Sequence, residues 1–309
     1  MHSVGIQVDK PTLTYEDIRC SDESVMFYTG VPDSSTFEAL FDEMCDDEQV
    51  YSDTSDGGRP HALRQIDEFF MILMRLRLGL LLDDLAYRFR ISRATCGRLC
   101  NKWFDYLYVQ LSFLVQWPSR ENVNATMPDS FSTNYPTTRV VVDCTEIWTE
   151  TPSSLQLQSL LYSDYKSHMT YKALIGISPA GVVTFSSDLY CGSISDKQIT
   201  KLSGLVELCE EGDAIMADKG FLISDFTTPR GIDLIIPPFK TKKQQMTQHE
   251  VNVTKKIASL RIHVERQMER IKNFRILQGT IPITMASQVT KIWHICVCLT
   301  NLQPPLVLK

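Results

Sequence analysis

The sequence predicts an α/β domain built on a mixed β-sheet with flanking helices, preceded by a small all-α domain. Three observations predict it. From Ala62 to about Leu114 the apolar residues recur at helical spacing throughout. From residue 138 the period changes, and β-branched runs alternate with capped helical segments. The chain is 309 residues long, 43% hydrophobic and 22% charged, enough for one large domain or two modest ones with ordinary globular cores.

Residues 1–58 read as an acidic N-terminal arm. They hold 14 Asp and Glu against Lys10 and Arg19, a net −12 that leaves +6 on the rest of a chain whose formal charge is −6. Such a weakly basic body can approach a polyanion. Within the arm, "SSTFEALFDEMCDDE" places Phe37, Leu40, Phe41 and Met44 on one helical face, with Ser34 or Ser35 as cap. The stretch "SDTSDGGRP" at 52–60 has linker composition.

Residues 59–117 form the predicted all-α domain. An apolar-striped helix over 62–78 is followed by a short one over 81–90 and a third over 91–111, with Ser92 as its N-cap. The last two, joined by a tight turn, match a helix-turn-helix with Arg93 and Arg98 on the second helix as DNA contacts. Gly97 inside that helix costs ~1 kcal/mol relative to alanine. Residues 118–137 are a Pro/Ser/Asn-containing connector.

Over 138–309 the predicted order is strand, hairpin, helix, strand, helix, strand, helix. The strands are "TRVVVDCTEIW" (138–148), the two arms of 171–190 about a Pro-Ala-Gly turn, "DAIMADKGF" (213–221) and "IDLIIPP" (232–238). The helices are 195–210 capped by Ser195, a short one from Ser224, and a long one containing "ASLRIHVERQMERIKNF". That order is the ribonuclease H-like architecture, with the 138–148 and 213–221 strands side by side.

The long helix has an unusual edge. With Val264 at the centre of a wheel at ~100° per residue, Ile257, Leu260, Met268 and Ile271 fall within roughly 40° of it. Glu265 lies about 100° round, on the same side as Arg261 and Lys272, and Glu269 some 40° beyond it. Asp143 and Asp218, on the two neighbouring strands, and Glu265 on the helix can therefore share one rim. Divalent ions such as Mg²⁺ take hard oxygen ligands and keep open positions for phosphates, which three converging carboxylates provide. Glu146, Asp164, Asp188, Asp196 and Glu269 compete for the role; Asp196 suits a helix start better.

Nine cysteines without a CxxC pair argue against a disulfide framework and for a reducing compartment. Neither Cys96/Cys100 nor the His294/Cys296/Cys298 cluster has zinc-like spacing with a second pair. "MHSVGIQVDK" has no signal-peptide core, and "FFMILMRLRLGLLL", carrying Arg75 and Arg77, is too short to span a bilayer. The expectation is a soluble intracellular protein with no membrane partner.

The blocks "VVVDCTEI", "SDLYCGSISDKQIT", "MADKGF" and "SLRIHVERQMERIKNFRIL" resemble, in order, those of Harbinger-like transposases within the DDE-superfamily endonucleases. "DDLAYRFRISRATCGRL" resembles the helix-turn-helix that accompanies that domain, and "VMFYTGVPDSSTFEALFD" the segment before it, so the likeness covers about residues 25–305. It implies that Asp143, Asp218 and Glu265 are the catalytic, metal-binding triad, holding two Mg²⁺ or Mn²⁺ ions for DNA cleavage and strand transfer. Lys166, His168, Lys172, Lys219, Arg261 and Lys272 are then candidate DNA-backbone contacts. The Cys/His pattern of the zinc-bound THAP module common among relatives is absent from this sequence. Recognition of DNA ends is therefore expected from the helix-turn-helix or an accessory DNA-binding protein, and the enzyme is expected to act as a homo-oligomer. The basic run "FKTKK" (239–243) can grip DNA or direct nuclear import, which gives a nuclear expectation. The alternative is a domesticated, transposase-derived DNA-binding or scaffold protein without turnover.

Overall fold

A computed structural model describes residues 12–45, 62–239 and 247–307. The expected linker at 52–60 and residues 240–243 of the basic run lie outside the described residues. The chain divides into two compact units, Met1–Trp103 and Phe104–Lys309.

The first unit is helical: α1 (Asp22–Thr29), α2 (Ser34–Cys45), α3 (Gln65–Leu78), α4 (Leu82–Phe89) and the start of α5 (Arg93–Gln110). Its centre is α3, in which every residue from Asp67 to Met74 is buried. A helix apolar nearly all round must be covered on every side, and the acidic segment supplies part of that cover. Tyr15 stacks on Phe37 at 4.2 Å, and Phe37 meets Phe69 at 5.1 Å. The Tyr15 amide donates to buried Asp67 (3.0 Å), and the indole of Trp103 donates to buried Glu68 (3.0 Å). The sequence led us to expect one helix in the acidic segment; α1 is a second, started by Ser21 and stopped by Gly30 at φ 79°. The cap of α2 is Asp33, which accepts from the Thr36 amide at 2.7 Å, rather than Ser34 or Ser35. Between α4 and α5 the turn passes through Arg90 at φ 55°, and Ser92 accepts from the Thr95 amide as expected of an N-cap.

The second unit contains the sheet. Its strands are β1 (Thr138–Trp148), β2 (Tyr162–Ser163), β3 (His168–Ile177), β4 (Val183–Ser186), β5 (Tyr190–Cys191), β6 (Ala214–Met216) and β7 (Asp233–Ile235). The order is β2-β3-β1-β6-β7, with β4 and β5 also paired to β3. β1 and β3 are antiparallel, whereas β1–β6 and β6–β7 are parallel. This is the mixed sheet expected of a ribonuclease H-like α/β fold. Further helices are α6 (Arg120–Thr126), α7 (Asp129–Ser132), α8 (Leu155–Leu161), α9 (Asp196–Leu202), α10 (Leu205–Leu208), α11 (Ser224–Thr227), α12 (Gln248–Lys272) and α13 (Val289–Thr300).

Strand alternation sorts the two faces. Val140 and Val142 of β1, Leu174, and Ile215 and Ala217 pack with Ile199, Leu205 and Val206 of α9 and α10. Residues of the opposite parity, Val141, Asp143 and Met216, belong to the other face, and α12 packs against β1 and β3. α12 starts at a reciprocal capping box between Thr247 and Glu250 and buries Ile257, Leu260, Val264 and Ile271. The expected stripe is present, but Gln267 is buried in it and donates to Thr300 (2.8 Å), while Met268 is only half-buried. Burial of each apolar side chain contributes about 1.5–3 kcal/mol to holding α12 on the sheet.

Candidate active site

Register brings the two aspartates together. Met216, the last residue of β6, pairs with Val141 of β1. Two residues further on stand Asp143, still within β1, and Asp218, just past β6, at one level and on one face. Asp143 lies within β1, opposite Ile175 of β3. Asp218 lies just past β6, in the turn where the Phe221 amide bonds the Asp218 carbonyl at 3.0 Å.

Both side chains meet the same arginine on α12. Nη1 of Arg261 donates to Oδ1 of Asp218 at 3.0 Å, and Nη2 stands 3.5 Å from Oδ2 of Asp143. The Arg261 side chain is only 9% exposed, against 22% for Asp143 and 55% for Asp218. Its Nε is buried without a hydrogen-bond partner. Burial pushes the Asp143 carboxyl up to about 6, although Arg261 and the Cys144 amide (2.8 Å from Oδ1) draw it down; Asp218 and Asp196 add to the rise. This carboxylate has less positive charge near it than its burial demands.

A cavity of about 710 Å³ opens over the pair. Glu265, one helical turn beyond Arg261, is exposed along its wall, as is Glu269. Glu146, Asp196, Lys166, Lys172 and Lys272 line it too. Glu146 is buried and accepts from Thr170 at 2.8 Å. Asp196 is paired with Lys172 at 2.6 Å, so this acid, which the sequence marks as a helix-start residue, also belongs to the cavity. Lys172 donates as well to the Ile194 carbonyl; burial opposes its charge, but Asp196 outweighs burial and raises its pKa. Burial, and then the charge of Lys166, lower the pKa of Lys272.

The remaining predicted DNA contacts are placed as follows. Lys166 is exposed, with Nζ 4.7 Å from the Tyr165 ring centre. Lys219 is outside the cavity lining, with Nζ 5.0 Å from the Phe239 ring centre. His168 packs on Trp148 at 4.7 Å. In the first unit Arg93 pairs with Asp83 at 3.2 Å and Arg98 reaches the Thr95 hydroxyl at 3.3 Å, both on the surface. Sequence reasoning assigned Arg261 to DNA and missed its seat between the aspartates. The available signal was its place about 60° from the core stripe, beside Glu265.

Among the described residues no three His, Cys, Asp or Glu side chains are gathered so as to hold a metal ion. A guanidinium lies between the two aspartates that would begin such a group. The residues nevertheless fit a divalent cation, since the donors are hard carboxylate oxygens and a cationic group stands in for the ion.

A mixed α/β sheet with an acid-lined cavity over adjacent parallel strands defines a ribonuclease H-like domain. The family described as DDE superfamily endonuclease matches residues 142–301, and that described as helix-turn-helix of DDE superfamily endonuclease matches residues 61–113. The first match covers more than half of the 309 residues, and the chain belongs to the DDE superfamily endonucleases. No curated protein matched the chain. Enzymes of this superfamily generally use a divalent metal, and no helix among the described residues is long and apolar enough to cross a membrane.

Proposed function

We propose that this protein is a Harbinger-like transposase that cuts DNA and joins strands, with Asp143, Asp218 and Glu265 as the catalytic, metal-holding residues. The observation that carries this reading is the sharing of one cationic group by Asp143 and Asp218, in a cavity that Glu265 also lines. Asp143, Asp218 and Glu265 would hold two Mg²⁺ or Mn²⁺ ions, which would supply Lewis acidity for in-line attack by water or a 3′-hydroxyl at phosphorus.

The chain's own residues supply orientation and charge. Asp143 offers a desolvated carboxylate fixed on Oδ1 by the Cys144 amide, while Oδ2 faces the Arg261 guanidinium at 3.5 Å. Lys166 and Lys272 raise the positive potential of one wall and are relieved by a phosphodiester between them. Lys219 and Arg261 extend that contact along the backbone. The segment 59–117, through Arg93 and Arg98, binds duplex DNA, and 138–309 carries the chemistry. The resemblance to Harbinger-like transposases supports homo-oligomeric action and an accessory DNA-binding protein, and the basic run at 239–243 supports a nuclear location.

The test is nicking of supercoiled plasmid in Mg²⁺ or Mn²⁺, with joining of a 3′-hydroxyl oligonucleotide to target DNA as the second step. Nicking is expected to fall at least about 100-fold in Asp143→Asn, Asp218→Asn and Glu265→Gln. DNA binding without nicking in either metal contradicts the proposal and supports a domesticated scaffold.

A further inference from the structure

We propose that Arg261 is a built-in counter-cation that occupies the metal position while the site is empty and must swing out before a divalent ion can bind. This inference rests on the metal-site reading above and adds a competitor within it. The guanidinium sits between Asp218 (3.0 Å) and Asp143 (3.5 Å), the two carboxylates that would hold the ion. A guanidinium and a divalent ion cannot share that gap, because like charges a few ångströms apart in a partly desolvated cavity repel strongly.

The seat is adequate rather than ideal. One contact has hydrogen-bond length and the other is a longer ion pair. The Nε–H, buried in a side chain only 9% exposed, donates to nothing. An unmet buried donor is unfavourable, so the arginine is held by charge and released cheaply when a better cation arrives. Arg261 also lines the cavity. Released, it presents Nε and Nη as a fork that suits two phosphate oxygens. Metal entry and a grip on the DNA backbone are then one event, and the resting protein discriminates against adventitious cations.

Mn²⁺ binding without DNA, followed by the electron paramagnetic resonance signal of the free ion, tests this with no reference to activity. Arg261→Gln is expected to bind Mn²⁺ at least about tenfold more tightly than the wild type, with Arg261→Lys between them. Asp143→Asn should lose binding. Thermal melts should show Arg261→Gln less stable than wild type without metal and more strongly rescued by Mn²⁺. If Arg261→Gln does not fold, the wild-type Arg261 Nε–H resonance serves instead, and it should shift in step with Mg²⁺ saturation. Binding that depends on Asp143 yet is unchanged or weaker in Arg261→Gln overturns this inference alone, as does an Nε–H resonance indifferent to saturating Mg²⁺. Absence of Asp143-dependent binding in every variant, wild type included, overturns both this inference and the metal-site reading.

Discussion

Asp143 carries a cost that the metal-free protein bears above about pH 6. Its carboxyl is raised to about 6, first by burial, despite Arg261 nearby. An unfolded aspartate titrates near about 3.9, so between roughly pH 4 and 6 the folded state binds more protons. Its contribution to stability is therefore best below that window and is lost as pH rises through it. Asp143→Asn removes the ionisation and should stabilise the metal-free protein relative to wild type by up to about 3 kcal/mol at pH 7.5, with the advantage fading towards pH 4. Paired urea melts across that range check it. Glu265 and Glu269 pose the second question at this scale, because both line the cavity. Glu265→Gln should abolish nicking whereas Glu269→Gln keeps most of it; equal loss in both contradicts the choice. The placement of Asp143, Asp218 and Glu265 around one cavity was legible in the sequence because strand position and helical angle follow from local pattern. The seat of Arg261 was not, since a charge at the edge of a helix reads the same whether it faces DNA, water or two aspartates.

At the scale of elements, legibility followed hydrophobic periodicity and caps. The 138–148 strand, the hairpin, Ser195 and the stripe on α12 all declare themselves over many residues, and all were found in place. What stayed hidden was short or broken. The expected helix over 195–210 is divided into α9 and α10 by Gly204 at φ 79°. The connector at 118–137 contains α6 and α7, which bury only Val123 and Phe131 and so give too few turns for a period to register. α8 exposes Leu155, Leu157 and Leu160, so its pattern marks no buried face. Gly97 is a glycine the fold does not need. α5 continues through it, and an added Cβ would meet only Leu82 Cδ1, at an ordinary 3.6 Å. Gly97→Ala should therefore stabilise the protein by roughly 0.5–1 kcal/mol, read as a higher urea midpoint at unchanged slope.

For the whole molecule, the acidic segment and the later basic residues have different tasks. The described part of the acidic segment packs on the first unit through buried Tyr15 and Phe37, while its carboxylates stay outside the core, Glu16 pairing with Arg64 at the surface. DNA affinity in the proposed function rests on exposed cations. The Arg93–Asp83 pair is open to solvent, and such pairs are worth little, which leaves Arg93 free to exchange its partner for a phosphate. Arg93→Ala and Arg98→Ala should each weaken duplex binding at low salt and reduce the slope of log affinity on log salt by about 1. Unchanged slopes in both would remove α5 from the DNA-binding surface.

The most direct measurement is the anomalous scattering of Mn²⁺ diffused into crystals of the wild-type protein. A peak within about 2.5 Å of carboxylate oxygens of both Asp143 and Asp218, with the Arg261 guanidinium withdrawn from between them, is the predicted result. Saturating Mn²⁺ that leaves Arg261 seated on both aspartates, with no peak between them, would contradict the account.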